Sequence, residues 1–148
     1  MNLIELLATK AALDAEIAKA KKNEATAALH RVQELVNELE LVPFCPEEMG
    51  GLATPREPSE IQEGTGKDVL LGKARILNKK GEDVTAQFIK GAMATLELAQ
   101  KNSCKAAIMK ANSPSCGSGR IYDGSFGGKL RDGSGVCAQL LMDNGIAV

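Results

Sequence analysis

Apolar residues in the first part of the chain recur at three- and four-residue intervals. Leu3, Leu6, Leu13, Ile17 and Ala20 make one stripe, interrupted by Lys10 and flanked by Glu5, Asp14, Glu16, Lys19, Lys21 and Lys22. That period predicts a helix over residues 2–22. Neither Pro nor Gly occurs before Pro43, so nothing obliges the helix to stop. A second stripe, Leu29, Val32, Val36 and Leu39, is out of phase with the first across residues 23–28. Either one long helix stutters there, or Asn23 or Thr26 caps a second helix. The stripe is too narrow for a lone helix, which predicts self-association through residues 1–39. The alternative is a helix lying on the protein's own sheet.

After residue 40 the pattern changes from helical spacing to short apolar runs separated by turn residues. Residues 41–44 read as a strand opening into Cys45-Pro46-Glu47-Glu48 and a Gly-rich turn, and residues 61–67 as a polar loop. Residues 69–71 and 73–78 flank or form a strand. Thr85 caps a helix running to about Gln100, with Phe88, Ile89, Ala92, Leu96 and Ala99 on its inner face. Residues 106–109 read as a buried strand, residues 136–144 as a helix closed by Gly145, and residues 146–148 as a last strand. Strands and helices alternating with short loops predict an α/β fold, a mostly parallel layered sheet with flanking helices. A coiled-coil-like N-terminal arm precedes it, which divides the chain into an arm, 1–29, and a domain, 30–148.

The densest chemistry lies in residues 110–128, KANSPSCGSGRIYDGSFGG, where the 106–109 run ends in a Ser-, Pro- and Gly-rich loop. Ser113, Ser115 and Ser118 offer hydroxyls and Cys116 a thiol, with Gly117 and Gly119 letting the backbone approach whatever the thiol holds. A plain turn with an incidental Cys is the competing reading. In a parallel sheet, ligands collect outside the carboxyl ends of the strands. Cys45 and Cys116 therefore reach the same edge, where thiolates can share a cluster or metal.

Composition narrows the rest. Hydrophobic residues make up 44%, but with three Phe, one Tyr and no Trp the core must be aliphatic. A net charge of −1 gives no basic field to draw nucleic acid or an anionic membrane. No apolar run approaches a membrane span and no secretory leader is evident, which predicts a soluble, cytoplasmic protein. The four cysteines contain no Cys-x-x-Cys pair, which excludes the usual zinc-ribbon and ferredoxin spacings. One histidine, His30, cannot by itself build a His-based metal site, and it lies within the helical pattern.

Two resemblances bear on function. The segment LLATKAALDAEIAKAKKNEATAALHRVQELV resembles the N-terminal oligomerisation helices of histone-like nucleoid-structuring proteins. The basic, Gly- and Trp-containing DNA-reading loop of those proteins has no counterpart, so DNA binding is not carried over. From about His30 onward, VPFCPEEMGGLATPREPSEI, GKARILNKKGEDVTAQFIKGA, KANSPSCGSGRIYDGSFGGKL, GSGV and NGIAV resemble the thiouracil desulfidase family. That resemblance implies a [4Fe–4S] cluster held by three cysteines. Its open iron would take sulfur from a thiolated base such as 2-thiouracil. By position, Cys45 and Cys116 would be two of the ligands. Glu47 and Ser113 or Ser115 would be the acid/base and positioning groups, and Arg56 and Ser118 would contact substrate. A carboxylate and an arginine are also ordinary surface groups: Glu47 as a solvated acid, Arg56 as a partner of Glu57 or Glu60.

The sequence departs from the family at its front. The family's first strand and its Ser-x-Cys-Leu-Leu-Gly loop, which carries the third ligand, are replaced here by the helical segment. That strand belongs near the middle of the sheet, so its neighbours must pair directly or leave backbone groups unpaired. Cys104 lies at the wrong edge of the sheet. Cys137, at the start of a helix, is the better substitute ligand. Two functions therefore compete. One is a [4Fe–4S] desulfidase of thiolated pyrimidines, impaired by the lost ligand. The other is a non-catalytic, oligomerising or partner-binding (inhibitor-like) protein on a desulfidase-like scaffold, from a fused or artificial sequence.

Overall fold

The computed structural model describes residues 2–148. The chain forms two compact units, divided between Pro43 and Phe44.

The first unit is one uninterrupted helix, α1 (Leu3–Glu38). The change of phase at residues 23–28 is absorbed without a break, and Thr26 donates its hydroxyl back to the Lys22 carbonyl instead of capping a new helix. At the front, Asn2 and Glu5 form a reciprocal capping box that satisfies two orphan donors. No α1 residue is fully buried.

The second unit, Phe44–Val148, is built from α2 (Pro46–Met49), β1 (Ser59–Gln62), α3 (Gly66–Leu70), β2 (Arg75–Asn78), α4 (Thr85–Lys101), β3 (Arg120–Tyr122), β4 (Leu130–Asp132) and α5 (Val136–Asp143). The class is mixed α/β, but the mostly parallel sheet is not what forms. β1 pairs antiparallel with β2, β3 pairs antiparallel with β4, and each sheet has two strands. Among the described residues, parallel pairing survives only as isolated bridges, Ala106↔Ala147 and Asn112↔Ile121.

The reason lies in residues 105–111. Ala107 and Lys105 bond to Ala147, and Ala107 and Met109 pack on the core. The alternate groups, on Ala106, Ile108 and Lys110, find no backbone partner among the described residues. A ladder forms only where a second strand runs alongside, and the one expected on this side is missing from this sequence. Residues 41–44 are likewise not a strand, residues 61–67 are not one polar loop because β1 runs to Gln62 with Ile61 buried, and of residues 69–78 the first two end α3 while 75–78 form β2.

The core is aliphatic apart from Phe88. Ile61 and Ile76 from the first hairpin, Phe88 and Ala92 from α4, Ile121 from β3, and Val136 and Leu141 from α5 are all essentially inaccessible. Helix α4 starts at Thr85, whose hydroxyl accepts the Ile76 N–H and donates to Asp83, tying the helix to β2. Among the described residues, no helix is long and apolar enough to cross a membrane.

Candidate active site

The site begins with the seating of α2. Gly50 and Gly91 let the backbones of α2 and α4 touch: a Cβ on Gly91 would run into the Pro46 carbonyl, its carbon at 2.8 Å. Cys45 is the N-cap of α2 and Pro46 its first residue, where a missing N–H costs nothing. This fixes Cys45 and Glu47 at the rim of a cavity of about 800 Å³.

Arg56 organises that rim. Its Nε donates to Glu47 Oε2 at 2.5 Å, one Nη to Ala53 O at 2.9 Å and Thr54 Oγ1 at 2.8 Å, and the other Nη to Cys45 Sγ at 3.4 Å. Burial alone would lower the guanidinium's pKa. The hydrogen bond and charge of Glu47, then those of Cys45, outweigh it and hold Arg56 above its ordinary value. Arg56 therefore pairs with neither Glu57 nor Glu60, and Glu57 is taken by Lys80 at 3.1 Å.

Cys116 faces the same cavity from the other side. Ser113 Oγ accepts the N–H groups of Ser115 (3.1 Å) and Cys116 (3.2 Å), folding the loop tightly around the thiol. The first turn of α5 closes the loop from behind: Val136 N–H donates to Pro114 O, and the N–H groups of Cys137 and Ala138 to Ser115 O. Burial pushes the Cys116 thiol up; the hydroxyls of Ser115 and Ser113 oppose this, while the charges of Glu47 and Cys45 add to it. Ser115 Oγ is fully buried and has no hydrogen-bond partner of ordinary geometry among the described residues.

Of the residues singled out in the sequence, Cys45, Glu47, Arg56, Ser113 and Cys116 line one cavity. Ser115 is buried behind it, Ser118 is exposed outside it, and Cys104 is not in its lining. Cys137 is also not in the lining: it is fully buried in the core. Desolvation pushes its thiol up to about 12, against a hydrogen bond with Thr95. The helix start that was to bring it to the site spends its N–H groups on loop carbonyls.

Glu60 was not singled out, yet it shapes the far wall. It is 7% exposed, and its Oε2 accepts the N–H of Gly124 at 2.8 Å and of Phe126 at 3.0 Å. These bonds pin the 123–128 loop, and with it Phe126, against the cavity. Nothing local in the sequence marks it, because its partners lie more than sixty residues away.

A cluster held by three cysteines asks for one thiol more than the cavity offers, since Cys45 and Cys116 are its only cysteines. Among the described residues, no group of three or more His, Cys, Asp or Glu side chains stands close enough to hold a metal ion. The cavity lining thus holds two thiols, Cys45 and Cys116, and the Glu47 carboxylate.

Comparison with known proteins places these features in a lineage. The chain is 51% identical over 126 residues to the uncharacterized protein YbbK of Bacillus subtilis (strain 168), covering 85% of this chain and 83% of that one. A solved structure, the [4Fe–4S]-dependent thiouracil desulfidase TudS, superposes with a TM-score of 0.68 at 40% identity, over 79% of this chain and 71% of that one. The family model for 2-thiouracil desulfurase matches residues 17–148, beginning within α1. With the cysteine- and serine-bearing loops matched as well as the core, the chain belongs to the 2-thiouracil desulfurase family.

Proposed function

We propose that Phe44–Val148 binds thiolated pyrimidines and hydrolyses the C=S bond, with cluster retention impaired by its two-thiol donor set. The observation that carries this reading is the convergence of Cys45, Cys116, Glu47 and Arg56 on one cavity in a chain of this family. The cavity is of the size that encloses a small heterocycle. Arg56 holds Glu47 by Oε2 and leaves Oε1 without a protein partner among the described residues. In this reading that oxygen takes a proton from a water attacking the thiocarbonyl carbon and returns it to the departing sulfur, giving a carbonyl and hydrogen sulfide. Ser113 keeps the Cys116 loop in shape through the two N–H groups it accepts. All four cysteines are free thiols, which supports a reducing compartment such as the cytoplasm.

Anaerobic reconstitution with iron and sulfide tests both halves of this reading. The expected result is iron well below one cluster per chain, slow turnover of 2-thiouracil, and loss of the residual iron in Cys45→Ser and Cys116→Ser. Full cluster occupancy with rapid turnover would overturn the impairment. Failure of the protein to bind 2-thiouracil at all, by calorimetry, would overturn the desulfidase reading.

A further inference from the structure

Helix α1 carries a row of uncovered aliphatic side chains: Leu6, Leu7, Leu13 and Ile17 are each about half exposed, and Leu3 and Leu29 are 70% exposed. At about 100° per residue these, together with Val32, fall on one face roughly 160° wide. Five charged residues lie on the same face: Lys10 and Asp14, already paired with each other at 2.6 Å, Lys21 and Glu24, and at its edge Arg31, which pairs with Glu34 and Glu38. Any partner that covers the leucines must also answer those charges, because an unpaired buried charge is costly.

We propose that α1 pairs antiparallel with α1 of a second copy, crossing at Ile17. In that register Lys10 lies opposite the partner's Glu24, and within one residue of the same register Asp14 lies beside the partner's Lys21, Leu3 beside the partner's Val32, and Leu6 beside the partner's Leu29. Each pairing occurs twice by two-fold symmetry. Lys10, Asp14, Lys21 and Glu24 each gain an opposite charge, Arg31 at the edge keeps its own Glu34 and Glu38, and the aliphatic residues at the two ends cover one another. A parallel, in-register pair does the reverse, setting Lys21 beside Lys21 and Glu24 beside Glu24. The overlap runs for about 45 Å of helix. Leu35 and Val36 fall outside it, and they are the α1 residues that are already partly buried. Within α1, the exposed part of the stripe therefore lies inside the overlap.

Sedimentation equilibrium of the full chain at micromolar concentration should give twice the 15.6 kDa chain mass. Ile17→Asp should weaken association by about tenfold or more while circular dichroism shows the Phe44–Val148 unit intact. Orientation is read by mixing Leu6→Cys chains with Leu29→Cys chains under mild oxidation and mapping the linked peptides. A 6-to-29 link supports the antiparallel pair, and a 6-to-6 link overturns it. A wild-type chain that stays monomeric, or an Ile17→Asp chain that stays dimeric, overturns the pairing altogether.

Discussion

Gly91→Ala is the most informative single change, because it bears on how the site is held together. Alanine should favour α4 intrinsically by about 0.5–1 kcal/mol over glycine. Against this, its Cβ would meet the Pro46 carbonyl, with the carbonyl carbon at 2.8 Å and Gly50 N at 3.2 Å. These are backbone atoms, which cannot swing aside as the end of a side chain can. Overpacking of this kind costs about 1–3 kcal/mol, and an obstacle of backbone puts it at the upper end. The net expectation is a loss of about 2 kcal/mol, or roughly 10 °C in melting midpoint for a domain near 100 residues. Because Pro46 follows Cys45, relief of the clash must also displace the thiol from Arg56 Nη at 3.4 Å. Thermal and urea unfolding measure the first effect, and iron retained after anaerobic reconstitution measures the second. Met93→Ala, on the 55% exposed side of the same helix, serves as the control and should be near neutral. A Gly91→Ala protein with wild-type midpoint and wild-type iron would refute the claim that backbone contact between α2 and α4 sets the position of Cys45.

Three further outcomes follow from the same geometry. Cys137 is held neutral by the core, so as pH rises the unfolded chain loses that proton first. The stability it carries is full below the ordinary thiol value of 9.0 and is lost as pH climbs towards about 12; the stability gap between wild type and Cys137→Ala, measured by urea unfolding, should narrow across that window, and a constant gap would show the thiol to be unperturbed. Glu60→Ala leaves the N–H groups of Gly124 and Phe126 without their acceptor and should cost about 2–3 kcal/mol, while weakening 2-thiouracil binding more than Glu57→Ala does, as titration calorimetry would show. The Asp68 carboxyl is held below its ordinary 3.8 by the backbone N–H and hydroxyl of Thr65, so its contribution is present above that value and lost as acid protonates it; Asp68→Asn should be less stable than wild type at neutral pH and match it in strong acid, as acid-unfolding curves would show.

How much could be read from the sequence depended on how local the determining contacts are. Helix α4 was legible from the spacing of Phe88, Ala92 and Leu96, because a helix's buried stripe is written every three or four residues. Cys45 and Cys116 were legible as a pair because each follows a short apolar run and opens a Pro- and Gly-rich turn, although the parallel-sheet edge expected to bring them together does not form. The parallel sheet was misread. Residues 106–109 have the composition of a strand buried on both faces, but Ile108 is 93% exposed, and composition cannot say whether a neighbouring strand exists. Cys137 was misjudged for a related reason. Its place at a helix start was read correctly, but the direction of its thiol is set by packing against Thr95 on another helix.

The junction between the Cys116 loop and α5 has a further consequence. A Ser-, Pro- and Gly-rich stretch is ordinarily where a protease cuts and where amide protons exchange fastest. Here the Pro114 and Ser115 carbonyls serve as acceptors for the first turn of α5, and Gly117 both donates to Ser113 and accepts from Gly135. The loop can therefore open only if the start of α5 unwinds with it. Residues 113–117 should resist limited proteolysis and show exchange protection that tracks that of α5, making loop and helix a single cooperative unit.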